Sequence, residues 1–213
     1  MTQVAWVLLA LAGGFAVVDW IGVVHHDRRL RLVAKPAVMI LLAAVALSLQ
    51  PSSGAQRDIF VAALFLCLLG DVFLLSGSEG WFMAGLAAFL GAHLAYSDGF
   101  LVGGFQRSLL PYSAAATAIA SLAFGGRIVG ALVGSKRTSM LGPVLVYLLA
   151  ISSMVTLAGA TGKPAAITGA ILFYVSDGLI AWNRFVRPSD WTRLPVIVTY
   201  HLGQAALILS LAS

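Results

Sequence analysis

Long apolar runs separated by short polar breaks dominate the chain. Eight of them approach the ~20 residues that a membrane-crossing helix needs. They predict spans at Val4–Val24, Pro36–Leu49, Ile59–Ser76, Trp81–Leu101, Leu109–Val133, Met140–Gly159, Ala165–Phe185 and Leu194–Ala212. The second is short and has room to begin ahead of Pro36, a residue suited to a helix's first turn. Gln50-Pro51-Ser52-Ser53-Gly54, Ser76-Gly77-Ser78-Glu79-Gly80 and Arg187-Pro188-Ser189-Asp190 read as loops. Gly125-Gly126-Arg127 is the point at which the fifth span would break. The fold class expected is all-α: one transmembrane domain over residues 1–213, a bundle of about eight helices.

Two glycine patterns stand out within the runs. Gly126, Gly130 and Gly134 recur every four residues, and so do Gly99 and Gly103. That spacing lets two membrane helices approach closely, so helix packing is the expectation for both sets.

Composition supports the same class. Of 213 residues, 60% are hydrophobic and only 10% charged, against roughly a quarter charged in soluble domains. Such a chain cannot build a water-soluble surface. A soluble enzyme, a disordered chain and a nucleic-acid-binding domain are excluded, despite a net charge of +5. The single cysteine, Cys67, lies in an apolar run and reads as a small core residue, so no disulfide framework is expected. No Lys or Arg precedes the first apolar run and no small-x-small cleavage signature follows it, so the first segment reads as a retained helix.

The charges also predict orientation. Arg28, Arg29, Arg31, Lys35, Arg127, Lys136, Arg137, Arg184, Arg187 and Arg193 fall after the first, fifth and seventh spans, and only Arg57, Arg107 and Lys163 fall on the opposite face. The richer face is expected in the cytoplasm. An even number of spans then places both termini outside, in a multi-pass protein of the plasma or inner membrane.

Against this apolar background, Asp19, Asp71, His93 and Asp177 lie inside predicted spans, and Tyr200, His201 and Gln204 share the last one. Charged groups within a bilayer are costly and tend to be functional. Asp19, Asp71 and Asp177 fall ~8–12 Å inside the basic-loop face. Tyr200, Gln204 and Lys35 lie in the same half of the membrane, and His93 lies nearer the midplane. Tyr200 and Gln204, four residues apart, share a helix face, whereas His201 is turned ~100° away and reads as a packing residue. A helix-packing hydrogen bond is the alternative for each Asp, and for Asp19 the two readings weigh equally. Asp71 with His93, and Asp177 with His201, also trace a faint four-plus-four repeat.

Four segments resemble the YhhN family: Leu69-Gly70-Asp71-Val72-Phe73-Leu74-Leu75, Phe89-Leu90-Gly91-Ala92-His93-Leu94-Ala95-Tyr96, Gly169-Ala170-Ile171-Leu172-Phe173-Tyr174-Val175-Ser176-Asp177 and Thr199-Tyr200-His201-Leu202-Gly203-Gln204. Lys35-Pro36 fits as well, so the resemblance covers nearly the whole chain in order. The family includes the lysoplasmalogenases, eight-span membrane hydrolases that cleave the vinyl ether of lysoplasmalogen. The products are a fatty aldehyde and a glycerophospho-base. The resemblance implies an acidic pair, Asp71 and Asp177, with His93, Ser176, Tyr200 and Gln204 around it. It implies fold and site more firmly than the identity of the lipid.

That chemistry suits the residues. Protonating the β-carbon of a vinyl ether gives an oxocarbenium ion, and water captures it as a hemiacetal that collapses to aldehyde and alcohol. A carboxylic acid and a carboxylate suffice, as in the two-carboxylate glycosidases, with one proton shared by the pair. One of Asp71 and Asp177 is expected to be the acid and the other to stabilise charge and orient water. His93 would tune them or relay protons. Tyr200, Gln204 and Ser176 would hold water or a glycerol hydroxyl, and Asp19 joins the substrate-binding set. Lys35, Arg28, Arg31 and Arg184 would meet the phosphate, with anionic-lipid contact as the alternative for each arginine. No cofactor and no covalent intermediate are expected. The partners expected are a lysophospholipid and membrane lipids, with no nucleic acid; a homo-oligomer is compatible with the sequence.

Two other classes remain open at this point. His93, His201, Asp71 and Asp177 would supply a zinc site like that of the seven-span alkaline ceramidases, although no span carries a close His pair. Paired intramembrane carboxylates would also serve a proton-coupled transporter. No nucleophile elbow, phosphate-binding glycine loop or redox ligand set is present.

Overall fold

A computed structural model describes residues 1–76 and 78–212. Its eight long helices are α1 (Gln3–Val24), α2 (Arg28–Ser48), α3 (Gly54–Leu74), α4 (Glu79–Gly103), α5 (Leu110–Gly134), α6 (Leu141–Ala160), α7 (Pro164–Ala181) and α8 (Arg193–Leu209). Among the described residues all regular structure is helical. Among the described residues seven helices are long and apolar enough to cross a membrane; the eighth long helix, α3, which carries Arg57, Asp58 and Asp71, falls short of that measure. Leu122 and Leu149 are 77% and 68% exposed and belong to a broad outward apolar surface. Only lipid accommodates such a surface. The protein is an all-α, multi-pass membrane bundle.

Local chemistry sets the helix starts. The side chains of Thr2, Asp27, Ser53 and Ser78 each accept a hydrogen bond from a first-turn backbone N–H, satisfying donors that have no partner within the helix. Pro111 and Pro164 stand in the first turns of α5 and α7, where a missing N–H costs nothing. The second span departs from expectation. Asp27 Oδ1 accepts from Arg29 N at 2.8 Å and Leu30 N at 3.2 Å, so α2 begins in the basic cluster and Pro36 lies inside it. The fifth span, where Gly125-Gly126-Arg127 left a break open, is one continuous helix as its predicted bounds have it. Gly125 faces the Leu148 side chain, Arg127 donates to the Ala123 carbonyl at 2.9 Å, and α5 runs unbroken.

Neighbouring helices pack in the order α1, α2, α3, α4, α6, α7, α8 and back to α1, with α5 outside against α6 and the π-helical turn Trp182–Val186. Hairpin α7–α8 closes backbone on backbone. A Cβ at Gly169 would lie 2.7 Å from Leu207 N, and one at Gly203 would lie 3.0 Å from Gly169 O. Gly99 and Gly103 pack as expected, under Phe60 and Gln56 of α3. Gly126, Gly130 and Gly134 do not: a Cβ on any of them would meet nothing within 4 Å. Because α5 is peripheral, their stripe faces outward.

Candidate active site

The hairpins α3–α4 and α7–α8 face each other across the bundle, and each holds the other's carboxylate. Asp71 on α3 accepts a hydrogen bond from Tyr200 on α8, at 2.8 Å to Oδ2. Asp177 on α7 lies 2.9 Å from His93 Nε2 on α4. Within the first hairpin a small residue lets α3 and α4 close up: Gly70 faces the Phe89 ring, and a Cβ there would come within 2.6 Å of it.

Asp71 is fully buried. Its Oδ1 lies 2.8 Å from Lys35 Nζ, a pair between α2 and α3. Tyr200 OH also approaches Met39 Sδ at 3.4 Å. One turn along α8, Gln204 accepts from Tyr96 OH at 2.6 Å and donates to Cys67 Sγ at 3.2 Å. Paired ions and paired dipoles are the tolerable form of polarity at such depth.

Asp177 sits differently. Tyr147 OH on α6 donates to its Oδ2, the oxygen that also meets His93, and Tyr147 OH lies 3.0 Å from His93 Nε2. The three groups form a closed triangle. Ser97 Oγ donates to the His93 carbonyl at 2.8 Å, and His93 Nδ1 is buried with no hydrogen-bond partner among the described residues. Asp177 and Tyr147 line a narrow apolar cleft of about 80 Å³ together with Phe82, Phe89, Tyr174 and Phe185. The cleft lies toward the ends of α3, α5 and α7, in the membrane half beneath the basic segments. Arg184 stands at its rim, 4.7 Å from the Phe82 ring centre.

An aromatic layer joins the two carboxylate centres. Phe173 lies 4.6 Å from the His93 ring and 5.5 Å from Tyr200, and Phe89 packs edge-on against both Phe173 and Tyr200. Among the described residues no hydrogen bond links Asp71 to Asp177, so the arrangement is two centres and not one proton-sharing pair.

The remaining expected residues are placed elsewhere. Asp19 is fully buried; its Oδ1 lies 3.4 Å from Arg31 Nε and its Oδ2 3.9 Å from His201 Nε2. Trp20 Nε1 donates to His201 Nδ1 at 3.1 Å, so His201 faces α1, as its rotation from Tyr200 suggested. Ser176 Oγ donates to the Val196 carbonyl at 3.0 Å and ties α7 to α8. Arg28 reaches the Leu75 carbonyl at 3.4 Å. Of the expected phosphate contacts, Arg184 is the one at the cleft, whereas Lys35 is engaged by Asp71. The carboxylates and histidines also stand in separate pairs: among the described residues no three His, Cys, Asp or Glu side chains converge to hold a metal ion.

Tyr147 is the member of the site that sequence reasoning missed. Its signal was a phenol in the otherwise apolar first half of α6. Tyr96 and Phe173 lay within the recognised segments but carried no expected role.

The comparisons with known proteins agree with this architecture. The sequence profile of the YhhN family matches residues 30–211. The chain is 34% identical over 157 residues to lysoplasmalogenase TMEM86B of Mus musculus, covering 74% of this chain and 65% of that protein. It is 29% identical over 211 residues to a lysoplasmalogenase of Mycobacterium tuberculosis, covering 89% of this chain and 80% of that one. The chain thus spans about two thirds of the mammalian relative and more of the bacterial one. No solved structure matches it. With the profile extending from α2 to the end of the bundle, the chain belongs to the YhhN family.

Proposed function

We propose that the protein is a lysoplasmalogenase-type hydrolase that cleaves the vinyl ether bond of a lysolipid within the membrane. The observation that carries this reading is the position of Asp177. It is a carboxylate at the wall of an apolar cleft, held by His93 and Tyr147. The names of the relatives support the same reaction.

Both hydrogen bonds to Asp177 go to Oδ2, which leaves Oδ1 for substrate. In its acid form Asp177 gives a proton to the β-carbon of the vinyl ether. The resulting carboxylate faces the oxocarbenium ion and stabilises it at short range, where the apolar walls leave the charge unscreened. Water adds to the cationic carbon and its proton returns to the Asp177–His93–Tyr147 triangle. The hemiacetal then collapses to a fatty aldehyde and the glycerol hydroxyl. The reaction consumes one water, regenerates the acid and requires no covalent intermediate.

Asp71 acts from a distance. Paired with Lys35, it fixes the Tyr200 hydroxyl, and the Tyr200 ring packs against Phe173, which lies against His93. It is a positioning residue, and Lys35 is its partner and not a phosphate ligand. Arg184 is the cation placed for the headgroup phosphate. The basic segments face the cytoplasm and both termini face outward, on the strength of the uneven Lys and Arg distribution.

The test is aldehyde release from an alkenyl lysolipid by the purified protein in liposomes. The wild type releases aldehyde, and Asp177→Asn lowers the rate by about 10²–10⁴-fold, the usual contribution of a general acid. Equal release by both proteins would overturn the role of Asp177.

A further inference from the structure

The cleft at Asp177 ends against Phe124, and a second cavity begins on the other side of that ring. This groove of about 420 Å³ lies between α5, α6 and α7 and is open to the lipid side. The two spaces share three lining residues, Phe124, Tyr174 and Gly178. Gly178 follows Asp177 directly in sequence. A Cβ on Gly178 would lie 2.8 Å from Phe124 Cε1, so the ring rests on bare backbone beside the carboxylate. Trp182 backs it at 5.7 Å.

From this threshold the groove runs away from the basic face. Along α7 it extends from Gly178 back to Ile171, and along α5 from Phe124 back to Ala116. At 1.5 Å per residue that is ~10–12 Å deeper into the membrane. Its walls are apolar except for Thr117 and Tyr174, and the Tyr174 hydroxyl is already engaged. Tyr174 OH lies 3.1 Å from Ser121 Oγ, which lies 2.9 Å from Ser152 Oγ. A polar ligand would find little to bind, whereas a hydrocarbon chain would displace only other hydrocarbon.

We propose that this groove is the hydrocarbon-chain site of the enzyme, with Phe124 as the threshold between the chain and the bond to be cleaved. The inference rests on the proposed vinyl ether hydrolysis. A single-chain lipid with its phosphate at Arg184 and its ether carbon at Asp177 must send its tail away from the basic face. The groove is the apolar space that adjoins the cleft across Phe124 in that direction. It is also open sideways, so a chain enters from the bilayer without crossing water and the aldehyde leaves the same way. Residues of the groove would then set chain-length preference.

Two measurements test this. The first is independent of turnover: a long-chain alkyl lysolipid with a diazirine at its chain terminus is photo-crosslinked to the protein in nanodiscs. Adducts are expected within residues 116–124 and 171–179, suppressed by excess unlabelled lysolipid. Equal labelling there by a diacyl phospholipid probe, or labelling elsewhere, would overturn the proposal. The second compares alkenyl lysolipids of long and short chain. Ala120→Phe fills the groove and should lower the long-to-short ratio of kcat/KM at least tenfold, whereas Ile119→Phe, on the outer side of α5, should leave that ratio unchanged. An unchanged ratio in Ala120→Phe would also overturn it. Specific crosslinking in the groove without aldehyde release by the wild type would mean that the chain site stands and the proposed reaction fails.

Discussion

Lys35 Nζ lies 2.8 Å from Asp71 Oδ1 with both side chains almost wholly buried, so each charge is tolerated in the bundle because of the other. Removing one partner strands a charge in a low-dielectric interior and costs about 3–5 kcal/mol, whereas replacing both by apolar residues of similar size is often neutral. Lys35→Met and Asp71→Asn are each expected to lower the thermal unfolding temperature in detergent, and Lys35→Met with Asp71→Leu to recover most of the loss. A double variant as unstable as the weaker single one would show that the pair is not what holds this part of the fold.

Asp177 should behave in the opposite way. It lines a cleft and is held by His93 and Tyr147, with which an amide also hydrogen-bonds, so Asp177→Asn is expected to keep the wild-type unfolding temperature within a few degrees while losing activity. Measuring both quantities on Asp71→Asn and Asp177→Asn separates a residue that supports the site from one that reacts in it.

Tyr147 donates one hydrogen bond to Asp177, the proposed acid. A bond to a charged group is worth about 1.5–3 kcal/mol, so Tyr147→Phe should reduce aldehyde release by about 10–100-fold and shift its pH profile, without loss of fold. Full activity with an unchanged profile would remove Tyr147 from the site.

What could be read from the chain ahead of the structure followed a simple rule. Asp71, Asp177 and His93 were visible because a charged or titratable group in an apolar run has few cheap explanations. Their partners were not visible, because partnership depends on helix order. Tyr147 reaches Asp177 since α6 packs against both α4 and α7. The same cause hid the partners of each carboxylate: residues at equal membrane depth need not share a cavity, and Asp71 meets Lys35 and Tyr200 whereas Asp177 meets His93 and Tyr147. The start of α2 was obscured by its arginines, which mask the Asp27 cap.

The glycine stripes make the point in packing terms. Spacing alone could not distinguish Gly99 and Gly103, which are covered by α3, from Gly126, Gly130 and Gly134, which face outward. Gly169→Ala should lower stability measurably, since its Cβ meets the α8 backbone. Gly126→Ala should be neutral or slightly stabilising, by up to about 1 kcal/mol, because Ala favours the helix. Thermal unfolding of the two variants side by side checks both.

Orientation is testable with one reactive thiol at a time, since the native Cys67 is fully buried. A membrane-impermeant maleimide applied to intact cells should label Ser52→Cys and spare Thr138→Cys, which becomes reactive after lysis. The reverse pattern would invert the topology.

The most direct measurement is a lysolipid panel presented to the purified protein, with vinyl ether, saturated ether and ester linkages at the same position. Aldehyde, free fatty acid and glycerophosphodiester are scored separately. Protonation of a carbon–carbon double bond by Asp177 predicts aldehyde and glycerophosphodiester from the vinyl ether lipid alone, and neither from the Asp177→Asn variant. Free fatty acid from the ester lipid, with the vinyl ether left intact, would contradict it.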